Sequence, residues 1–213
     1  MPEGTDPYAS EVYAPAASNL RQMLDAGVLG RDAEPCYYVY RLVMGDHTQT
    51  GLVAVASVAA YDSNRIRKHE FTRPAKEDDR VRQIEALHAQ TGPVLLACKS
   101  DPAVDAMLDA VAAAKPDVEL TADDRIGHSL WVVRDVDMIE RITAAFDAME
   151  ALYIADGHHR SAAASRVAAS HAGNAAAAGF LAVIFPHRQM QILDYNRVVR
   201  DLNGLDENGF LSR

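Results

Sequence analysis

Residues 156–160 read Asp-Gly-His-His-Arg, after the apolar run Tyr153-Ile154-Ala155 and before Ser-Ala-Ala-Ala-Ser-Arg-Val-Ala-Ala. A strand that turns through Gly157 into a helix leaves the first helical N–H groups unpaired, at an end carrying about half a positive charge. Such an end seats an anion, and glycine lets a ligand approach the backbone closely. His158, His159 and Arg160 add side-chain donors, and the guanidinium suits two oxygens of one phosphate. A nucleotide phosphate is the natural guest. Asp156 complicates a pure phosphate seat, because its charge repels phosphate unless a cation, a proton or a substrate donor lies between them. Magnesium suits that place, since it commonly bridges one or two carboxylates to phosphate oxygens. The plainer reading makes Asp156 an N-cap, places Arg160 in a salt bridge and leaves the histidines on the surface. A zinc site on His158 and His159 is disfavoured, because adjacent helical positions diverge by about 100 degrees.

A second polar constellation runs from Ile66 to Arg80, Ile-Arg-Lys-His-Glu-Phe-Thr-Arg-Pro-Ala-Lys-Glu-Asp-Asp-Arg. His69 and Glu70 form a candidate acid/base pair, Thr72 is a donor, and Arg73, Lys76 and Arg80 are candidate phosphate partners. Taken alone, this segment reads as a solvated loop with a helix cap. Beside the first motif it reads as the other wall of a site.

The elements that must position these groups alternate between helical and strand periodicity. A short amphipathic helix is predicted over 19–29, a hairpin from 36–44 and 50–58, a helix over 76–90 and a strand over 94–98. Asp101-Pro102 opens a helix through Ala114, with proline at the tolerated first position. A strand at 129–133, a helix over 136–149, a strand at 152–155, a helix over 157–171 and strands at 179–185 and 191–195 complete the pattern. The alanine runs read as close helix packing or helix surface. Trp131 reads as core, and His47, His88, His128, His171 and His187 as structural or surface residues. The fold class is therefore α+β, a mixed α/β arrangement with a mixed sheet flanked by helices. One domain is expected over 1–204, with a polar tail at 205–213.

Composition narrows the functions. Among 213 residues, 30 acids against 21 bases give a net charge of −9. That balance disfavours a broad nucleic-acid-binding face, which needs excess Lys and Arg to displace counterions. No apolar run approaches the ~18 residues of a membrane helix, and the N-terminus carries no secretory signal, so the cytoplasm is the expected compartment. Cys36 and Cys98 stand in separate apolar runs and read as buried thiols rather than a disulfide or metal knuckle.

Arg65 to Thr72, the downstream Lys-Glu-Asp-Asp-Arg, the Gly-Pro-Val-Leu-Leu strand and Tyr-Ile-Ala-Asp-Gly-His-His-Arg, in that order, resemble the domain-of-unknown-function family 1015. The resemblance covers about residues 10 to 200. The Asp-Gly-His-His-Arg turn is also similar to phosphate-binding turns of the ParB/sulfiredoxin superfamily and of free-serine kinases. The resemblance implies a ParB/sulfiredoxin-like nucleotide-binding core. It also implies a magnesium-dependent kinase that uses ATP or ADP on a small hydroxylated amino acid, best guess L-serine to O-phosphoserine. Glu70 would then be the base that takes the hydroxyl proton, with His69 and Thr72 shaping its surroundings. Asp156 would hold magnesium or the hydroxyl. Gly157, His158, His159 and Arg160 would bind phosphates, Arg80 would neutralise charge on the transferring group, and Arg197 is a weaker addition. Members of the family carry a Pro-Pro-Tyr-Asp-like element near the start, which Asp6-Pro7-Tyr8 matches only in its Pro-Tyr pair. They also continue past the last residue here, so the chain reads as shortened at both ends. The competing readings are a ParB-like nucleotide-binding module or regulator without turnover, and a zinc or manganese hydrolase using His69, His158 or His159. For the hydrolase no third well-spaced ligand is visible.

Overall fold

The computed structural model describes residues 9–213, and the Asp6-Pro7-Tyr8 segment lies outside them. In chain order the elements begin with α1 (Tyr13–Asp25), β1 (Tyr37–Met44), β2 (His47–Ser57), α2 (Val58–Asp62) and β3 (Ile66–Arg67). There follow α3 (Pro74–Leu87), β4 (Val94–Cys98), α4 (Pro102–Ala112), β5 (Val118–Thr121) and β6 (Gly127–Val133). The chain continues through α5 (Val136–Ala148), β7 (Leu152–Asp156), α6 (His158–Ser170), β8 (Gly179–Pro186) and α7 (Glu207–Leu211). The eight strands form one sheet in the order β3-β7-β4-β8-β2-β1-β6-β5. The β3/β7 and β4/β8 pairs are parallel and the remaining neighbours antiparallel, so the protein is a mixed α/β fold.

Two apolar clusters hold the layers together. Val39, Leu52, Trp131 and Val133 of the sheet meet Val104, Met107 and Leu108 of α4 and Ile142 of α5. Val94, Leu96, Ile154, Phe180, Ala182 and Ile184 pack with Ala162 and Ala164 of α6 and Val58 and Tyr61 of α2. Phe146 and Met149 touch both clusters and join them at the end of α5. The alanines of 162–164 are buried, as close packing of α6 requires. Trp131 is core, and its indole N–H donates to the Ala114 carbonyl at 2.8 Å, pinning the end of α4.

Several expectations change. Helix α1 begins at Tyr13 rather than 19 and ends at Asp25, because Pro15 falls in the first turn, where no N–H is needed. Strand β5 escapes a pattern reading because all four of its residues are exposed at the sheet edge. The run 191–195 is not a strand: no neighbouring strand pairs with it, and Ile192 and Tyr195 are 98% and 101% exposed. The 205–213 tail contains the short helix α7, capped by Asp206. Cys98 is buried, whereas Cys36 is only half-buried. No helix among the described residues is long and apolar enough to cross a membrane.

Candidate functional site

Strand β7 runs antiparallel to β4, so Asp156 at its end lies opposite Leu95, near the start of β4. The turn after Asp156 is made by Gly157 at φ 99°, a backbone conformation that L side chains rarely adopt. A Cβ there would stand 3.0 Å from Arg160 Nε and 3.2 Å from Val94 Cα, tighter than ordinary contact, so a side chain would also crowd its neighbours. Gly157 occupies the N-cap position of α6 and supplies no side-chain cap. The first N–H groups of α6 therefore keep the anion-seeking end that a helix start provides.

Asp156 does not cap the helix. Its Oδ2 accepts from Arg160 Nη2 at 2.6 Å, one turn along, and the guanidinium supplies the counter-charge that the carboxylate needs beside an anion seat. Arg160 Nε is buried without a hydrogen-bond partner among the described residues. Arg160 shares a cleft of about 80 Å³ with Arg80, Gln83, Thr91 and Gly92. Two arginines from α3 and α6 thus face one small space, a concentration of positive charge and N–H donors suited to an anion. Arg80 is oriented by Gln83, whose Oε1 accepts from Nη1 at 2.6 Å, and by Asp79 at 3.5 Å.

The segment 65–73 crosses to the same helix end, and the two histidines bring it there. His158 Nε2 accepts from the His69 backbone N–H at 3.4 Å, and His159 Nε2 accepts from the Arg73 backbone N–H at 3.1 Å. Their divergence around α6, which argues against a shared zinc, lets them hold two points four residues apart on one loop. His158 is 4% exposed, and its ring meets the His69 ring edge-to-face at 4.5 Å. Burial, followed by the neighbouring His69, pushes the His158 pKa below the ordinary imidazole range, against the opposing pull of Glu70 and Asp156. The neutral ring that results can accept at Nε2. Glu70 Oε2 stands 3.6 Å from His158 Nδ1 and remains largely open to solvent.

Arg65, Arg67 and Lys68 of this segment have structural partners. Arg65 donates to the Phe146, Asp147 and Met149 carbonyls at the end of α5, where a cation is favoured. Arg67 pairs with Glu150 at 3.0 Å and lies over the Tyr153 ring, and Lys68 sits over the Tyr61 ring while donating to its carbonyl. The Thr72 hydroxyl donates to Glu77, which also pairs with Arg166, so Thr72 ties the loop to α3. Glu70 and Phe71 are the exposed tip of the loop, with Phe71 98% exposed.

The structure therefore brings Glu70, His69, Asp156, Gly157, His158, His159 and Arg160 to one helix end, and of these Arg160 alone shares a cleft with Arg80. Arg73 and Lys76 are exposed and do not line the arginine cleft, nor does Arg197 on the exposed segment after β8. Sequence reasoning missed Thr91, Gly92 and Gln83. Thr91-Gly92-Pro93 reads in the sequence as a helix end and strand start, and the antiparallel β4/β7 pairing sets that turn against Arg160. Among the described residues no group of three or more His, Cys, Asp or Glu converges as a metal cage.

The sequence profile of the family described as "Protein of unknown function (DUF1015)" matches residues 1–213. The chain belongs to this family. No curated protein and no solved structure is similar enough to match. Both motifs by which the chain resembles DUF1015 proteins, the 65–80 segment and the Asp-Gly-His-His-Arg turn, meet at the start of α6.

Proposed function

We propose that this DUF1015 protein is a nucleotide- and magnesium-dependent kinase that phosphorylates the hydroxyl of a small amino acid, with L-serine the best candidate. The observation that carries this reading is the approach of a solvent-open carboxylate, Glu70, to His158 at the Gly157 start of α6, the helix whose Arg160 shares a cleft with Arg80. Phosphoryl transfer depends mainly on in-line placement and charge stabilisation, so a base facing a cationic phosphate seat is chemically sufficient.

In this reading Glu70 accepts the proton from the substrate hydroxyl, whose oxygen attacks the terminal phosphorus of ATP or ADP. The bond to the leaving phosphate breaks, releasing O-phosphoserine and the shortened nucleotide. The N–H groups at the start of α6, with Arg160 and Arg80, hold the phosphates. His158 and His159 keep the Glu70 loop against that helix end rather than contacting phosphate themselves. Asp156 is the carboxylate that would hold magnesium. Bound magnesium would neutralise charge on the phosphates. The core would be of ParB/sulfiredoxin type, a likeness that rests on the turn sequence.

A second reading, a ParB-like nucleotide-binding module or regulator, is favoured by one feature: the arginine cleft is complete without Glu70. Phosphorus NMR of the protein with magnesium, ATP or ADP, and L-serine separates the two. The kinase gives a phosphoserine resonance that Glu70→Gln and Asp156→Asn both remove. A bound nucleotide without new resonances establishes the module instead.

A further inference from the structure

Next to the cleft of Arg80 and Arg160 lies a larger cavity of about 440 Å³ between α3, α6 and β8. Ile84, Ala89 and Gln90 line both spaces, so the two adjoin along a shared wall. That wall is fixed: Gln90 donates from Nε2 to the Gly179 carbonyl at 3.0 Å and accepts at Oε1 from the Leu181 N–H at 2.8 Å. Beyond it the floor is Val55, Ala164, Val167 and Leu181, and the rim carries Glu85, His88, His171 and Asn174. No Lys or Arg lines this larger part, whereas the small part holds two arginines.

From this gradient we infer that the cavity between α3 and α6 receives the nucleoside of a nucleotide whose phosphates lie between Arg80 and Arg160. The inference rests on the reading of the arginine cleft as a phosphate seat. A nucleoside phosphate has the matching polarity, with a flat, mostly apolar base at one end and concentrated negative charge at the other. The volume falls within the range of about 300 to 1,000 Å³ in which proteins bury small ligands, and a free amino acid would leave most of it empty. The arrangement assigns the two adjoining spaces to different parts of one molecule. The acceptor hydroxyl is then left to the open side, where Glu70 stands.

Calorimetric titration of the full chain with ADP and with pyrophosphate, each with magnesium, tests this directly. Ala177→Trp places an indole in the cavity, and Ala176→Trp does so from its exposed rim in case the first variant melts early. Either substitution is expected to weaken ADP about tenfold or more while leaving pyrophosphate within about twofold, whereas Arg160→Ala weakens both. If ADP binds the folded tryptophan variants as tightly as the parent while Arg160→Ala still weakens it, the nucleoside lies elsewhere and the phosphate seat stands. If Arg160→Ala changes neither ligand, or neither binds, the phosphate seat fails and the cavity assignment fails with it.

Discussion

Two strand-to-helix turns stand at opposite ends of adjacent strands, and each carries an aspartate. After β4, Asp101 turns its carboxylate onto the α4 amides, accepting from Ala103 N at 2.8 Å and Val104 N at 3.3 Å, and Pro102 removes one more donor. After β7, Asp156 turns away to Arg160, and Gly157 leaves the α6 amides uncapped. The first turn closes its helix and is finished as structure. The second keeps donors available and places cations around them. An acid before a helix is thus no signal by itself, and what separates the two is whether its oxygen reaches the amides.

The largest effect that would sharpen this comparison is on turnover. Glu70→Gln is expected to lower phosphoserine formation by about 10² to 10⁴, as removal of a positioned base does, with nucleotide affinity unchanged by calorimetry. Equal loss of affinity would move Glu70 from chemistry to binding. Next, Gly157→Ala must strain the backbone and displace Arg160 or Val94, for a loss of about 1 to 3 kcal/mol in denaturant unfolding together with weaker nucleotide binding. Asp101→Ala should cost about 1 kcal/mol of stability and nothing in nucleotide affinity, because it removes a cap from the closed turn. Asp156→Ala should change stability by less than about 0.5 kcal/mol, since its pair with Arg160 is partly exposed. A reversal of those last two results would break the comparison.

The smallest effect is on pH dependence. Because the folded protein holds His158 below its unfolded value, the unfolded chain binds more protons between the two pKa values, and stability rises with pH there. The contribution is complete above about 6.5, the unfolded value, and is lost as pH falls below it. Thermal unfolding from pH 7.5 down to about pH 5 should show a decline that His158→Gln reduces. The opposing carboxylates of Glu70 and Asp156 keep the effect modest.

The strand, glycine and helix around Asp156 were legible in the sequence because local chemistry determines each of them. The meeting of Glu70 with that turn came from resemblance in motif order, not from periodicity, because the residues between are brought together by sheet pairing. The hydrogen bonds that His158 and His159 accept from the His69 and Arg73 backbone N–H groups were not legible, because they depend on the crossing of 69–73 over α6. Arg160 and Thr91 meet through the antiparallel β4/β7 register, which no spacing in the chain reveals. The run 191–195 shows the reverse limit: strong strand propensity does not create a strand where no partner edge is offered.

The anchoring of the 65–73 segment has a consequence for its dynamics. Arg65 fastens one root of the segment to the end of α5, and His159 fastens the other at Arg73, with His158 holding His69 between them. These three anchors oppose a swing of the whole segment as a lid. The part they leave exposed is the tip, Glu70 to Phe71. Under the proposed function, an acceptor molecule would reach Glu70 by diffusion into a standing site, without waiting for this segment to open.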